Sequence, residues 1–221
     1  ILHIYTKDFG RVSYMVARKR GKRSSVSQAL FMPLSVLDLE VEHQNKRDIQ
    51  RIKEVHLAFS ASSFQLDPVK NVLALFLSEV LFRVVKDTQP DERMYAFLTD
   101  SVRILDSVEQ GLANFHVAFL LNLLHYLGIF PNVEHPQDTL YFDMLNGIFV
   151  CQQPAHPYYL QPAETVVFQR LLKMSYENMS LYAFSRQDRV RILHRIFEYY
   201  QLHLPDFKEI RSLQILQSLF D

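Results

Sequence analysis

Asp67-Pro68-Val69-Lys70-Asn71-Val72-Leu73-Ala74-Leu75-Phe76-Leu77-Ser78-Glu79-Val80-Leu81 is where this chain changes period. Val69, Val72, Leu73, Phe76, Leu77, Val80, Leu81 and Val84 recur at three- and four-residue intervals, which places them on one face of a helix. Asp67 is suited to accept backbone N–H bonds as N-cap, and Pro68 to occupy the first helical position. Upstream of about residue 57 the period is two. Leu34-Ser35-Val36-Leu37-Asp38-Leu39-Glu40-Val41-Glu42 alternates over its second half, Gln44-Asn45-Lys46-Arg47-Asp48 turns, and Ile49-Gln50-Arg51-Ile52-Lys53-Glu54-Val55 returns. Further upstream, Leu2-His3-Ile4-Tyr5 and Arg11-Val12-Ser13-Tyr14-Met15-Val16 flank the turn Asp8-Phe9-Gly10. Four short strands of this kind predict a small antiparallel sheet or barrel, one face in the core and one in water.

Downstream the chain reads as helices. A second helix is expected from Asp91-Glu92, whose acids suit the positive end of a helix dipole. A third is expected over residues 114–127, stopping at Gly128 with Pro131 beyond. Residues 131–162 contain Pro131, Pro136, Pro154, Pro157 and Pro162 and predict an irregular excursion, with a small hairpin around Asn146-Gly147. Helices are expected again over 163–176, 185–204 and 208–220, the second opening with the capping-box-like Ser185-Arg186-Gln187-Asp188. The fold class is therefore α+β: a β unit over 1–57 and a helical domain over 58–221 that carries the insertion 131–162. No internal repeat is present.

The chain holds 24 basic and 24 acidic residues, yet residues 1–57 carry eleven Lys and Arg against six Asp and Glu, a balance of +5. Much of that excess lies in Arg18-Lys19-Arg20-Gly21-Lys22-Arg23, five cations in six residues, read as a loop between strands. Lys7, Arg11, Lys46 and Arg47 are further cations at turns or strand ends of the same sheet, and Tyr5, Phe9 and Tyr14 add aromatic faces. A cationic groove with aromatic platforms is how small barrels hold single-stranded nucleic acid. A second basic patch, Arg186, Arg189, Arg191 and Arg195, reads first as a solvated helix face with Asp188 and Glu198 as partners. Its functional reading is a second DNA surface or a dock for an acidic tail.

Enzymatic signatures are absent. There is no phosphate-loop glycine motif, no His-Glu-x-x-His and no Gly-x-Ser-x-Gly, and the five glycines do not cluster. Cys151 is the one cysteine, which excludes a disulfide framework and a multi-thiolate zinc site. Its nearby His135 and His156 share no ligand spacing with it, so Cys151 reads as a small packed hydrophobe. His116 and His125 fit core or boundary positions of an apolar helix. The stretch 115–130 is too short and too polar to span a membrane, no signal peptide is visible, and the cytoplasm is the expected compartment.

Ile4-Tyr5-Thr6-Lys7-Asp8-Phe9-Gly10-Arg11 followed by the Lys/Arg-Gly-Lys/Arg loop resembles the opening of the bacterial recombination mediator family RecO. Met32-Pro33-Leu34-Ser35-Val36-Leu37-Asp38-Leu39-Glu40-Val41 and Leu77-Ser78-Glu79-Val80-Leu81 are similar to later segments of it. Asn114-Phe115-His116-Val117-Ala118-Phe119-Leu120-Leu121, running to Leu127-Gly128-Ile129-Phe130-Pro131, resembles its central segment. The likeness spans nearly the whole chain and rests on the order and spacing of these segments together.

The resemblance implies an N-terminal OB-fold joined to a helical domain, in a bacterial cytoplasmic, nucleoid-associated protein that is not an enzyme. It implies sequence-independent binding of single- and double-stranded DNA and annealing of complementary strands. It also implies work with RecR that helps RecA displace the single-strand DNA-binding protein, whose acidic C-terminal tail is a docking partner. The alternative is an interaction module whose basic loop meets an acidic protein without touching DNA. Two departures from the family carry expectations. Its usual first strand would lie upstream of Ile1, leaving the barrel an open edge. Many relatives place a four-cysteine zinc site within the stretch equivalent to 131–162, where this chain has only Cys151. Zinc is therefore not expected, and Leu140, Tyr141, Phe142, Ile148 and Phe149 are expected to pin the excursion by packing.

Overall fold

The computed structural model describes residues 1–16, 30–44, 46–61, 63–86, 89–134 and 140–219 of the 221-residue chain. They fall into two compact units. One joins Ile1–Ser107 with Ile210–Leu219, and the described part of the other is Val108–Glu209. Compactness thus changes at residue 107, whereas the hydrophobic period changes near residue 57. The first helices of the chain share a unit with the sheet.

In the first unit, β1 (Leu2–Thr6), β2 (Gly10–Met15), β3 (Val36–Glu42) and β4 (Ile49–Phe59) form one sheet in the order β1-β2-β4-β3. β1 and β2 form a hairpin closed by Thr6 opposite Gly10, whose φ of 60° suits a residue without Cβ. β3 and β4 form the second antiparallel pair. The wholly antiparallel expectation is corrected at the centre of the sheet. β2 pairs with β4 in parallel, Ser13 opposite Ile49 and Met15 opposite Arg51. Alternation in sequence assigns faces to strands, but it does not name their partners. Val12, Tyr14 and Val55 point inward and are buried, while Met15, Asp38, Glu40, Glu42 and Lys53 face water. The fold class is α+β, an N-terminal sheet followed by helices, as expected.

The short α1 (Ser63–Leu66), which no sequence pattern announces, leads into α2 (Pro68–Val84), whose start is as read. Asp67 accepts from the Val69 and Lys70 amides at 2.8 and 3.4 Å. α3 (Glu92–Ser107) is capped by Asp91, which accepts from the Arg93 and Met94 amides. Leu73, Phe76, Leu77, Val80 and Leu105 are fully buried in this unit. Its last helix α7 (Ser212–Leu219) packs on α2, and Glu79 of α2 accepts from the Arg211 and Ser212 amides at 3.0 and 2.8 Å. That cap explains why the helix begins at Ser212 rather than at 208.

In the second unit α4 (Phe115–Tyr126) is buried along most of its length, from Phe115 through Leu121 and at Leu123 and Leu124. α6 (Arg186–His203) packs beside it, Tyr200 Oη donating to Leu120 O at 2.8 Å. The capping box of α6 is present: Ser185 Oγ accepts from the Asp188 amide and Asp188 from the Ser185 amide, each at 3.1 Å. The expected hairpin in the excursion forms from β5 (Tyr141–Asp143) and β6 (Ile148–Val150), and β7 (Tyr159–Leu160) adds a third strand beyond that expectation. Gly147 holds a φ of 66°, and a Cβ there would lie 2.8 Å from Tyr199 Oη, so the turn needs glycine twice over. α5 (Pro162–Leu171) follows and ends sooner than the 163–176 expected.

Candidate nucleic-acid interface

The parallel pairing of β2 and β4 has a direct consequence for the sheet's cations. Both strands run the same way, so the turn before β2 and the turn before β4 lie at one end of the sheet. The contact that joins them is a ring stack. Phe9 and His43 lie 4.0 Å apart by centroid and within 8° of parallel. Lys7, Lys46 and Arg47 are exposed on these same two turns. The chain departs toward residues 18–23 from Met15, which is the opposite end of β2. The run Arg18, Lys19, Arg20, Lys22, Arg23 itself lies outside the described residues, as does Asn45.

Each turn is held from within. Thr6 Oγ1 donates to Gly10 O at 3.0 Å and accepts from the Phe9 amide at 3.1 Å. In the second turn, Gln50 is buried at a core position and spends its whole amide on the backbone. Its Oε1 accepts from the Gln44 amide at 2.8 Å, and its Nε2 donates to Gln44 O at 2.9 Å and Arg47 O at 2.6 Å. A buried carboxamide is tolerated where its groups are bonded, and here that requirement fixes the turn. Arg47 and Gln44 are thus tied to buried Gln50 through their backbone, with Lys46 and Arg47 exposed beside it.

Lys7 forms an ion pair with Glu92 at 3.5 Å, both side chains well exposed, an interaction worth little in water. Arg11 is engaged inside the fold. Its Nη1 donates to Phe82 O at 3.0 Å and Val85 O at 2.8 Å, and its guanidinium lies 4.5 Å from the Phe82 ring centre. Those carbonyls end α2, so Arg11 sits at the negative end of the helix dipole and ties β2 to it. Burial, followed by the Arg11 charge, lowers the pKa of neighbouring His3. Tyr5 and Tyr14 divide similarly: Tyr14 is fully buried, with its phenol pKa raised by that burial, and Tyr5 is half-buried. Of the three aromatic residues that sequence reasoning picks out, Phe9 is the exposed one. Sequence reasoning misses His43, because its partner is 34 positions away.

The arginines of α6 do not form one open face. Arg189 Nη1 donates to Phe184 O at 2.7 Å. Arg195 bonds Glu164 and Glu198, and hydrogen bonds from both raise its pKa against the lowering effect of burial. Arg186 and Arg191 are exposed.

In the excursion Asp143 is the hub. It accepts from the Leu145 and Asn146 amides at 3.0 Å each, from Asn146 Nδ2 at 2.7 Å and from His156 Nε2 at 3.2 Å. The Tyr158 amide donates to His156 Nδ1, which leaves the ring proton on Nε2, facing Asp143. Burial opposes ionisation of Asp143, but the hydrogen bonds from Asn146 and His156 outweigh it and its pKa is lowered. Phe142 and Phe149 are buried as expected, whereas Leu140 and Ile148 are exposed, so the pinning rests on hydrogen bonds as well as packing. Cys151 is exposed rather than packed. His116 is fully buried, as expected. Among the described residues, no cluster of His, Cys, Asp and Glu could hold a metal ion, and no helix is long and apolar enough to cross a membrane.

Two family models match. That described as recombination protein O N terminal covers residues 1–61, and that described as recombination protein O C terminal covers residues 65–213. Curated relatives align over the whole of this chain. The DNA repair protein RecO of Azobacteroides pseudotrichonymphae is 39% identical over 221 residues, 100% of this chain and 92% of the relative. The proteins of the same name from Phocaeicola vulgatus and Bacteroides fragilis are 37% and 38% identical, again over 100% of this chain and 91% and 92% of theirs.

Proposed function

The chain belongs to the recombination protein O family, and from that membership we propose that it is a DNA repair and recombination mediator of the bacterial cytoplasm. It binds single- and double-stranded DNA without reading sequence and anneals complementary strands. With RecR it helps RecA load where the single-strand DNA-binding protein is bound. It acts by holding DNA rather than by covalent chemistry. The observation that carries this reading is the match of the two family models to residues 1–61 and 65–213 of a chain whose first 57 residues hold eleven Lys and Arg against six Asp and Glu.

The run Arg18, Lys19, Arg20, Lys22 and Arg23, with Lys46 and Arg47, neutralises phosphates. Each neutralised phosphate releases condensed counterions, which makes binding sequence-independent and steeply dependent on salt. Lys7 adds to this surface from its exposed pair with Glu92, and Arg11 contributes chiefly by fixing β2 against α2. Annealing follows when two strands are held with their charge screened and their bases free to pair. The acidic tail of the single-strand DNA-binding protein is assigned to the exposed Arg186 and Arg191 of α6. No zinc takes part, a reading supported by a single cysteine and by an excursion in which Asp143 already has four donors.

The test is annealing of two complementary labelled oligonucleotides, followed by fluorescence transfer, with and without the protein. Acceleration that fades as salt rises is expected. No acceleration, together with no anisotropy change on either strand, removes the DNA reading and leaves an interaction module for an acidic protein.

A further inference from the structure

We propose that the stacked pair Phe9–His43 is a platform for an unpaired nucleobase, so that this end of the sheet selects single strands over duplex. The inference rests on the DNA reading above and gives it a site and a strand preference. Four observations converge on it. The two rings are flat against each other, 4.0 Å apart and 8° from parallel, yet Phe9 remains 38% exposed. Side chains that take no part in the stack bond the backbone of each turn, Thr6 at Phe9 and Gly10 and Gln50 at Gln44 and Arg47. The platform is therefore formed before any ligand arrives, and binding need not order it. His43 Nδ1 is buried without a hydrogen-bond partner among the described residues, so that atom leaves the ring to be held by its stack on Phe9.

The fourth observation is charge. Lys7, Lys46 and Arg47 stand among Asp8, Glu42 and Asp48 on the same turns and strand ends, and Lys7 is paired with Glu92. This end of the sheet is balanced and cannot attract a polyanion strongly by charge alone. Its distinguishing feature is an exposed aromatic surface beside Lys46 and Arg47. Every base has a π-face, so stacking of this kind tolerates sequence, and a base still paired inside a duplex does not offer that face. The division of labour is that phosphates are held mainly by the basic run, and a base is gripped at the Phe9–His43 end.

The experiment compares the full chain with its Phe9→Leu variant, which keeps an apolar side chain and removes the ring. Anisotropy titrations use a labelled twelve-residue thymidine strand, an abasic strand of equal length, and a duplex. The unaltered protein is expected to prefer the thymidine strand over the abasic one by about five- to a hundredfold. Phe9→Leu is expected to lose that preference while keeping its affinity for the abasic strand and its salt dependence. An unaltered protein that binds both strands equally, or a variant that keeps the preference, overturns the platform and leaves the pair as turn packing only. An unaltered protein that binds no strand removes the DNA reading and the platform with it. If Phe9→Leu melts earlier, His43→Leu in the same titrations and quenching of 2-aminopurine in a strand bound to the unaltered protein make the same decision. Quenching supports the platform, and unquenched 2-aminopurine overturns it.

Discussion

Arg195 bonds Glu164 from one helix to the next: Nε lies 2.9 Å from Oε1, and Nη1 reaches Glu198 Oε2 at 2.8 Å. Glu164 Oε2 meanwhile accepts from the Gln161 amide at the start of α5. The arginine is thus part of a link between α5 and α6. Both partners are more than a third exposed, so solvent screens the pair. Arg195→Ala is expected to cost roughly 1 kcal/mol of stability, read as a lower melting temperature. Arg191→Ala is expected to leave the melt unchanged, which makes it the informative variant for binding of an acidic peptide. An unchanged melt for Arg195→Ala would sink the structural role.

Glu79 and His116 should each give acid sensitivity, beginning at different pH values. For Glu79, burial opposes ionisation. Hydrogen bonds from Ser212 and Arg211 and the charge of Arg83 outweigh it, and the folded pKa lies below the ordinary 4.5. Its contribution is present above that ordinary value and is lost as pH falls through the lower folded one. The protection of the α7 amides, measured against an unfolded chain at the same pH, should therefore fall below about pH 4.5. Glu79→Gln should lower it already at pH 7. Protection that ignores both changes contradicts the cap.

His116 is fully buried, and that burial, aided by the Arg189 charge, lowers its pKa from 6.5 to about 3. Between those values the unfolded chain takes up a proton that the folded chain refuses, so stability declines as pH drops from about 6.5 toward 3. His116→Met should flatten that limb in urea melts followed at several pH values. A parallel decline in the variant assigns the limb to other groups.

The Asp143 hub predicts independence from metal. Chelator treatment should leave the melting temperature unchanged, and elemental analysis of the purified protein should find no stoichiometric zinc. Asp143→Ala strips four donors of their acceptor and should destabilise by roughly 2–4 kcal/mol. Bound zinc, or a melt that falls on chelation, would contradict this reading.

What the sequence disclosed was local. Asp67, Ser185, Gly10 and the Asn146-Gly147 turn each act within a few residues of themselves, and each does what its type and position imply. What it withheld was long-range. Alternation implied one inner and one outer face but did not show that Tyr14 lies on the inner one, nor that β2 and β4 run in parallel, and without that pairing the two turns could not be brought to one end. Arg11 reads as a surface cation until α2, more than 70 residues on, supplies Phe82 O and Val85 O. Gln50 breaks the apolar pattern for the sake of a turn that only the structure displays. β7 is two residues long, too short to carry a period.

The most direct measurement is the salt slope of single-strand binding, log affinity against log salt, for the unaltered chain and for a variant with Arg18, Lys19, Arg20, Lys22 and Arg23 all replaced by Ala. The account predicts a steep slope for the unaltered chain. In the variant the slope falls by about 0.7 for each phosphate left without its cation, and binding is weaker at every salt concentration. Equal affinity and equal slope in the two proteins would contradict the assignment of the basic run to DNA.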